Sequence, residues 1–325
     1  MTIDATAALR ELLDRYTLAR EPLHPVANDA CRVSHFGDKA LRIYPPGTEQ
    51  HSIAAEMSWL QALRAQARVC VPRPIAARDG SVIQALHSAA VAEPSYAVVV
   101  SWVEGRFFDR GLTALRLSRL GAAVATLHDV SQALGHAGRI HTRREAVDLD
   151  AARWQALRPN ANNRLREDDL RLIRQSVQHL APRLAALPRT ASNFGLVHAD
   201  LHPWNYLFAA GSVGIIDFSD CGLGHHADDI AKALFYLRHP WVRNHDHRPA
   251  YPALEAAFLG GYASVRPLPD GLAQAMPLFT AAKVISLLAW VLLDWPHVEQ
   301  RAWGPACVRW ALAWLSTEQN DARLR

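Results

Sequence analysis

Apolar residues recur at helical spacing near the start of the chain. Over 5–18, Ala8, Leu9, Leu12, Leu13 and Tyr16 share a stripe, and Pro22 and Pro25 end the pattern, which predicts a helix capping the following sheet. From 26 to 44 the texture shortens to β-compatible segments over 26–32, 32–35 and 39–44, with Phe36-Gly37-Asp38 as a hairpin signal. Residues 49–64 return to period 3.6, with Ile53, Met57, Leu60 and Leu63 on one face. Val71-Pro72-Arg73-Pro74 reads as an extended connector, because each proline biases its predecessor away from helix. Strands are predicted over 81–86 and 96–102, the second running into a turn at Gly105. Helices are predicted over 113–129, 167–187, 253–262, 272–293 and 298–316, and 135–166 is the least periodic stretch. The helical half is interrupted at 195–224, GLVHADLHPWNYLFAAGSVGIIDFSDCGLG: an apolar lead-in, a polar loop, and two short apolar segments, the last running straight into Asp217.

The length of 325 residues suggests two lobes. The patterning gives a first part of short β-compatible segments with one main helix and a mostly helical remainder, so the fold class is α+β. Half the residues are hydrophobic and a fifth charged, a globular rather than a disordered composition. Cys31, Cys70, Cys221 and Cys307 stand singly, which points to free thiols in a reducing compartment rather than to disulfides or zinc. The N-terminus lacks an apolar signal core, and the most apolar helix candidate, 278–295, is interrupted by Lys283 and ends at Asp294, leaving less than the roughly 20 uncharged residues a bilayer requires. The expectation is a cytoplasmic protein without a membrane partner. No basic run is interleaved with aromatics, which argues against nucleic acid. Residues 1–197 hold 25 Lys and Arg against 19 Asp and Glu, whereas 198–299 hold 6 against 10. That asymmetry suits a polyanionic nucleotide first and an amine-bearing partner later, although sums over whole segments leave any one groove open.

Asp200, Asn205 and Asp217 edge the polar loop. A carboxylate can accept a proton from an attacking hydroxyl, and an amide and a second carboxylate offer the hard oxygens that hold Mg²⁺ against phosphates. The string His198-Ala199-Asp200-Leu201-His202-Pro203-Trp204-Asn205, followed by Asp217-Phe218-Ser219 and by Asp229 opening a helix, resembles the aminoglycoside phosphotransferase and choline kinase group, the small-molecule branch of the protein-kinase-like fold. The likeness is close over 196–234. Ala199 and Ser219 stand where that group has glycine, and His225-His226 replaces Asp-Pro; none of these removes a ligand.

The resemblance implies a two-lobed protein-kinase-like fold, with a small antiparallel sheet and one main helix in 1–104, a mostly helical lobe in 105–325, and ATP and Mg²⁺ between the lobes. Asp200 is the expected catalytic residue, Asn205 and Asp217 the metal ligands, and His198 and Asp229 the support of the loop. Arg42 stands where kinases carry a phosphate-binding lysine, with Glu56 as its expected partner and Glu49 as the alternative; Lys39 is out of register. The main chain of Ser101 and Val103 is expected at adenine, and the loop at Asn28-Asp29-Ala30 over the phosphates. His202, Trp204 and Asp220 are expected to line the acceptor pocket. The implied activity is transfer of the γ-phosphate of ATP to a hydroxyl of a small, amine-bearing molecule: an amino alcohol, a hydroxy amino acid such as homoserine, or an aminoglycoside. The protein is expected as a monomer or homodimer. Two other readings share the motifs, a stress-type Ser/Thr protein kinase and a nucleotide-binding regulator without turnover.

Overall fold

The computed structural model describes residues 11–16, 18, 22–28, 32–66, 68–88, 91–108, 111–136, 149, 151–157, 165–238, 251–294 and 303–317. Residues 11–15 are helical, and Leu12, Leu13 and Tyr16 bury against Phe36, Leu41 and Val99. This is the cap expected over 5–18; its first half lies outside the described residues. Three antiparallel strands follow, β1 (His24–Asn28), β2 (Arg32–Phe36) and β3 (Lys39–Ile43), with β2 and β3 joined through Gly37 at φ 53°. Helix α1 (Gln50–Leu63) buries the predicted stripe of Ile53, Met57, Leu60 and Leu63, and it also buries Glu56, which the spacing had placed at the stripe's edge.

The extended connector at 71–74 links two short strands, β4 (Val69–Cys70) before it and β5 (Pro74–Ile75) at its end. After them come β6 (Gln84–Ser88) and the eleven-residue β7 (Val91–Ser101). β7 pairs with β3 along one edge, while β5 and β6 share the other, all antiparallel. Ala97, Val98, Val99 and Val100 are almost wholly buried, as expected of a central strand covered on both faces. Alternation sends Leu41, Ala97 and Val99 toward the N-terminal cap, and Ala40, Val98 and Val100 toward α1.

Helix α2 (Ala114–His136) runs past the predicted end at 129, and α3 (Ala151–Ala156) lies within the aperiodic stretch. Helix α4 (Glu167–Ala185) leads to four short strands: β8 (Phe194–Val197), β9 (Tyr206–Phe208), β10 (Val213–Ile215) and β11 (Gly222–His225). Strand β8 pairs with β11, and β10 pairs antiparallel with β9 and parallel with β4, so a strand from the first hundred residues completes the ladder beneath the polar loop. The rest is helical: α5 (His226–Arg238), α6 (Tyr251–Ala263), α7 (Leu272–Ala289), prolonged by a π-helical turn to Asp294, and α8 (Gly304–Ser316).

Helices α2 and α6 cross with their backbones in contact. A Cβ on Gly121 would lie 2.0 Å from the Phe258 carbonyl oxygen, and one on Gly261 would lie 1.9 Å from that of Ser118, so only glycine permits the approach. The apolar run 272–293 is long and apolar enough to cross a bilayer, but it is packed in the core against α4, α5 and α8.

Candidate active site

The polar loop leaves β8 at His198 and is fastened from behind by Asp229, in the first turn of α5. Asp229 Oδ2 accepts the His198 amide and Oδ1 the Ala199 amide, each at 2.8 Å. His128 of α2 adds a third bond, 3.1 Å from Oδ2. Because the carboxylate can only accept, His128 carries its proton on Nε2, and Nδ1 is left to accept the Tyr262 hydroxyl at 2.8 Å. Burial pushes the Asp229 carboxyl up, but His128, His198 and the loop amides outweigh it and hold the group below its ordinary range. The same burial holds His128 neutral, its pKa lowered. With both amides so engaged, Ala199 adopts φ 68°, the left-handed conformation for which the related motifs use glycine.

His198 joins the loop's two ends. Its Nε2 lies 2.9 Å from the Ile216 carbonyl, and its Nδ1 accepts the Asp200 amide at 3.2 Å. The Ile216 amide donates to the Asn205 carbonyl at 2.9 Å, which seats Asp217 one residue beyond a bond to Asn205. The Asn205 side-chain nitrogen donates to the Asp200 carbonyl oxygen at 3.0 Å and to Asp200 Oδ2 at 3.2 Å. Asp200, Asn205 and Asp217 therefore form one hydrogen-bonded unit. Since the Asn205 nitrogen is committed, its amide oxygen is the atom offered outward. Asp217, at φ 61°, presents a carboxylate that is 49% exposed and accepts the Ser219 hydroxyl at 2.8 Å. An amide oxygen beside a half-exposed carboxylate is a donor set that suits Mg²⁺.

The sheet delivers a cation to the same place. Arg42 of β3 donates to Glu56 Oε1 at 2.7 Å and to Asp217 Oδ1 at 2.9 Å, and the Tyr44 hydroxyl donates to Glu56 Oε2 at 2.7 Å. Glu56, not Glu49, is thus the carboxylate brought to Arg42, while Lys39 pairs with Asp38 in the turn. Phe218 bolts these parts together, edge-on to Trp59 of α1 at 5.3 Å between ring centres and 4.7 Å from the His198 ring. At the end of β7 the Ser101 amide donates to the Arg73 carbonyl and the Trp102 amide to that of Asp38. The Ser101 N–H is therefore already engaged, and Val103, nearly buried, follows in the connection.

On the side of Asp200 away from Arg42, His202 Nε2 lies 3.1 Å from Asp200 Oδ2. Trp204 is 46% exposed, and its ring is 5.6 Å from that of His202 and 6.5 Å from that of Tyr236. Asp220 ends the exposed turn after Asp217. Sequence reasoning missed the most consequential neighbour: Lys283 of α7, 8% exposed, reaches Asp200 Oδ1 at 3.3 Å. The available signal was a lone lysine within an otherwise apolar helix. Burial drives the Asp200 carboxyl up, but His202 and Lys283 more than reverse this and hold it well below the carboxylate range. Burial opposes the Lys283 charge, yet Tyr236 and Asp200 raise its pKa above the ordinary value. Among the described residues, part of the acidity summed over 198–299 is taken up by neighbours: Asp217 meets Arg42, Asp228 meets Lys232 at 2.7 Å, and Asp229 is bound up in the loop.

The chain matches the phosphotransferase enzyme family over residues 24–268. It is similar to a homoserine kinase of Gluconacetobacter diazotrophicus, 30% identical over 302 residues that cover 89% of this chain and 86% of that one. A homoserine kinase of Paramagnetospirillum magneticum is 29% identical over 273 residues, covering 80% and 76%. Among solved structures, a microcompartment-associated aminopropanol kinase superposes with a TM-score of 0.73 at 24% identity, covering 98% of this chain and 99% of that one. An amicoumacin kinase in complex with AMP-PNP and Ca²⁺ superposes with a TM-score of 0.80 at 20% identity, covering 98% and 94%. The expected protein-kinase-like α+β fold is thereby borne out.

Proposed function

This chain belongs to the phosphotransferase enzyme family and is a small-molecule kinase, and we propose that it moves the γ-phosphate of ATP to the side-chain hydroxyl of an amino acid of the homoserine type. The observation that carries the reading is the single hydrogen-bonded unit of Asp200, Asn205 and Asp217, tied to Arg42. The names of the curated relatives favour the hydroxy amino acid over the other amine-bearing acceptors.

ATP sits between residues 1–104 and 105–325, which act as two lobes, with its adenine against the main chain near Ser101 and Val103. Asn205 and Asp217 would hold Mg²⁺, and the ion when bound neutralises charge on the transferring phosphoryl group. Arg42, braced by Glu56, faces the phosphates. Asp200 orients the acceptor hydroxyl and takes up its proton; with its pKa held low it is a weak base, which a loose transition state tolerates because positioning matters most. His202, Trp204 and Asp220 line the acceptor side, while His198 and Asp229 hold the loop. The free thiols of Cys70, Cys221 and Cys307 accord with a cytoplasmic place of action. A protein kinase is disfavoured, since the relatives and neighbours above are named as kinases of small molecules.

The test is acceptor-dependent ADP release over a panel of hydroxylated amines, amino acids, sugars and antibiotics. L-homoserine should give the highest kcat/KM, and Asp200→Asn should lower kcat by roughly 10²- to 10⁴-fold. Full activity in Asp200→Asn would remove Asp200 from its role, and ATP binding without turnover on any acceptor would favour the regulatory reading.

A further inference from the structure

The chain has three lysines, and two of them, Lys232 and Lys283, are buried. A lysine is buried only where something compensates its charge. Lys232 is compensated by Asp228, four residues earlier on α5. One turn further along that face, Tyr236 presents its ring 5.3 Å from Lys283 Nζ. Among the described residues, the one carboxylate within ion-pair distance of Lys283 is Asp200.

That partner is the group on which the acceptor hydroxyl must rest, and it also faces His202 and Asn205. Asp200 thus stands between the Lys283 ammonium and the His202 imidazole with an amide donor beside it, so its charge is already answered. A cation placed against Asp200 would meet Lys283 at short range, with Asp220 as the other acceptor-side carboxylate to offset it. A molecule that carries its own carboxylate answers Lys283 directly. The ammonium has three N–H donors, so beyond Asp200 and the Tyr236 side chain one remains for a second anion. In an amino acid of homoserine's length, the carboxylate lies only a few bonds from the hydroxyl, within reach of one nitrogen that touches both. Burial strengthens such a charge-assisted bond.

Resting on the functional reading above, we infer that Lys283 binds the acceptor's carboxylate and so makes this site select a zwitterionic hydroxy amino acid over the amino alcohol that lacks the carboxylate. Lys283 is then a specificity-determining residue, and its contact with Asp200 couples occupancy of the carboxylate subsite to the position of the hydroxyl-orienting group.

The experiment compares kcat/KM for L-homoserine and for 3-amino-1-propanol, which has the same hydroxyl and amine without the carboxylate. The full chain would be assayed with MgATP as wild type, Lys283→Met and Lys283→Arg. Wild type should prefer homoserine by about 10²-fold, the scale of a charge-assisted bond. Losing the contact to Asp200 should lower kcat for both acceptors alike and cancel in the ratio. Lys283→Met should bring the ratio to within roughly threefold of unity, mainly through the KM for homoserine, and Lys283→Arg should restore part of it. A wild-type ratio in Lys283→Met overturns the inference. Should that variant not fold, competition on the wild type decides: 4-hydroxybutyrate, a hydroxyl and a carboxylate without the amine, should compete with homoserine more strongly than 3-amino-1-propanol does, and the reverse order overturns the inference. Wild type that uses 3-amino-1-propanol but not homoserine also overturns it and leaves the kinase reading intact, whereas turnover of no acceptor at all removes that reading and the inference with it.

Discussion

Ala199 is the residue at which the loop's geometry and its chemistry disagree. Its left-handed φ of 68° costs a residue with a Cβ about 1 to 2 kcal/mol, and the bonds from Asp229 to two consecutive amides keep it there. Ala199→Gly should therefore raise stability by about 1 kcal/mol, with the gain trimmed by the freer unfolded chain. A denaturant midpoint that stays level or falls would show that the Cβ makes compensating contacts. Asp217 occupies the same region of backbone space at φ 61°, and there Ser219 does what glycine could not: its hydroxyl bonds the Asp217 carboxylate. The two departures from the related motifs thus differ in kind. Ala199 strains the backbone, whereas Ser219 supplies a hydrogen bond.

At the level of elements, the crossing of α2 and α6 governs the site from a distance. It sets His128 of one helix against Tyr262 of the other, and His128 in turn holds Asp229. Gly261→Ala would drive a methyl group into the Ser118 backbone, which cannot rotate away, so the helices must part. The expected cost is about 3 kcal/mol, with a fall in kcat as His128 shifts. Gly260→Ala is the matched control: nothing lies within 4 Å of its Cβ, and helix propensity alone should add about 0.5 to 1 kcal/mol. Equal melting temperatures for the two variants would contradict the close crossing. Helix α7 shows the complementary case, a segment apolar enough for a membrane that instead carries a buried lysine to Asp200.

Across the whole molecule, acid should loosen the fold through its buried histidines. His128 and His226 stack at 4.2 Å between ring centres; burial, with Arg266 nearby, lowers both pKa values below the ordinary 6.5, and His128 adds to the lowering of His226. The unfolded chain takes up these protons near pH 6.5 and the folded chain does not, so stability is full above that pH and is lost as pH falls below it. Asp228 acts the other way: burial pushes its carboxyl up to about 6, so the folded state binds that proton first and recovers some stability between about pH 6 and 4. Two groups outweigh one, and the melting temperature should drop between pH 7 and 5.5. His226→Gln should flatten that drop and Asp228→Asn should steepen it; a pH-independent melting temperature would mean that the histidines are reached by solvent.

The local order of the chain determined much of this protein. Helical spacing found α1 and its buried stripe, and the two linked motifs placed Asp200, Asn205 and Asp217 beside short strands, because each is a relation among residues a few positions apart. The tertiary structure decided what depends on distant pairs. Nothing in the order of residues says that β4 runs parallel to β10, that α6 lies against Gly121 of α2, or that a lysine 83 positions away answers Asp200. Those contacts depend on which surfaces meet. They set Arg42 against Asp217 and Lys283 against Asp200 in a segment whose sequence shows a surplus of acidic residues.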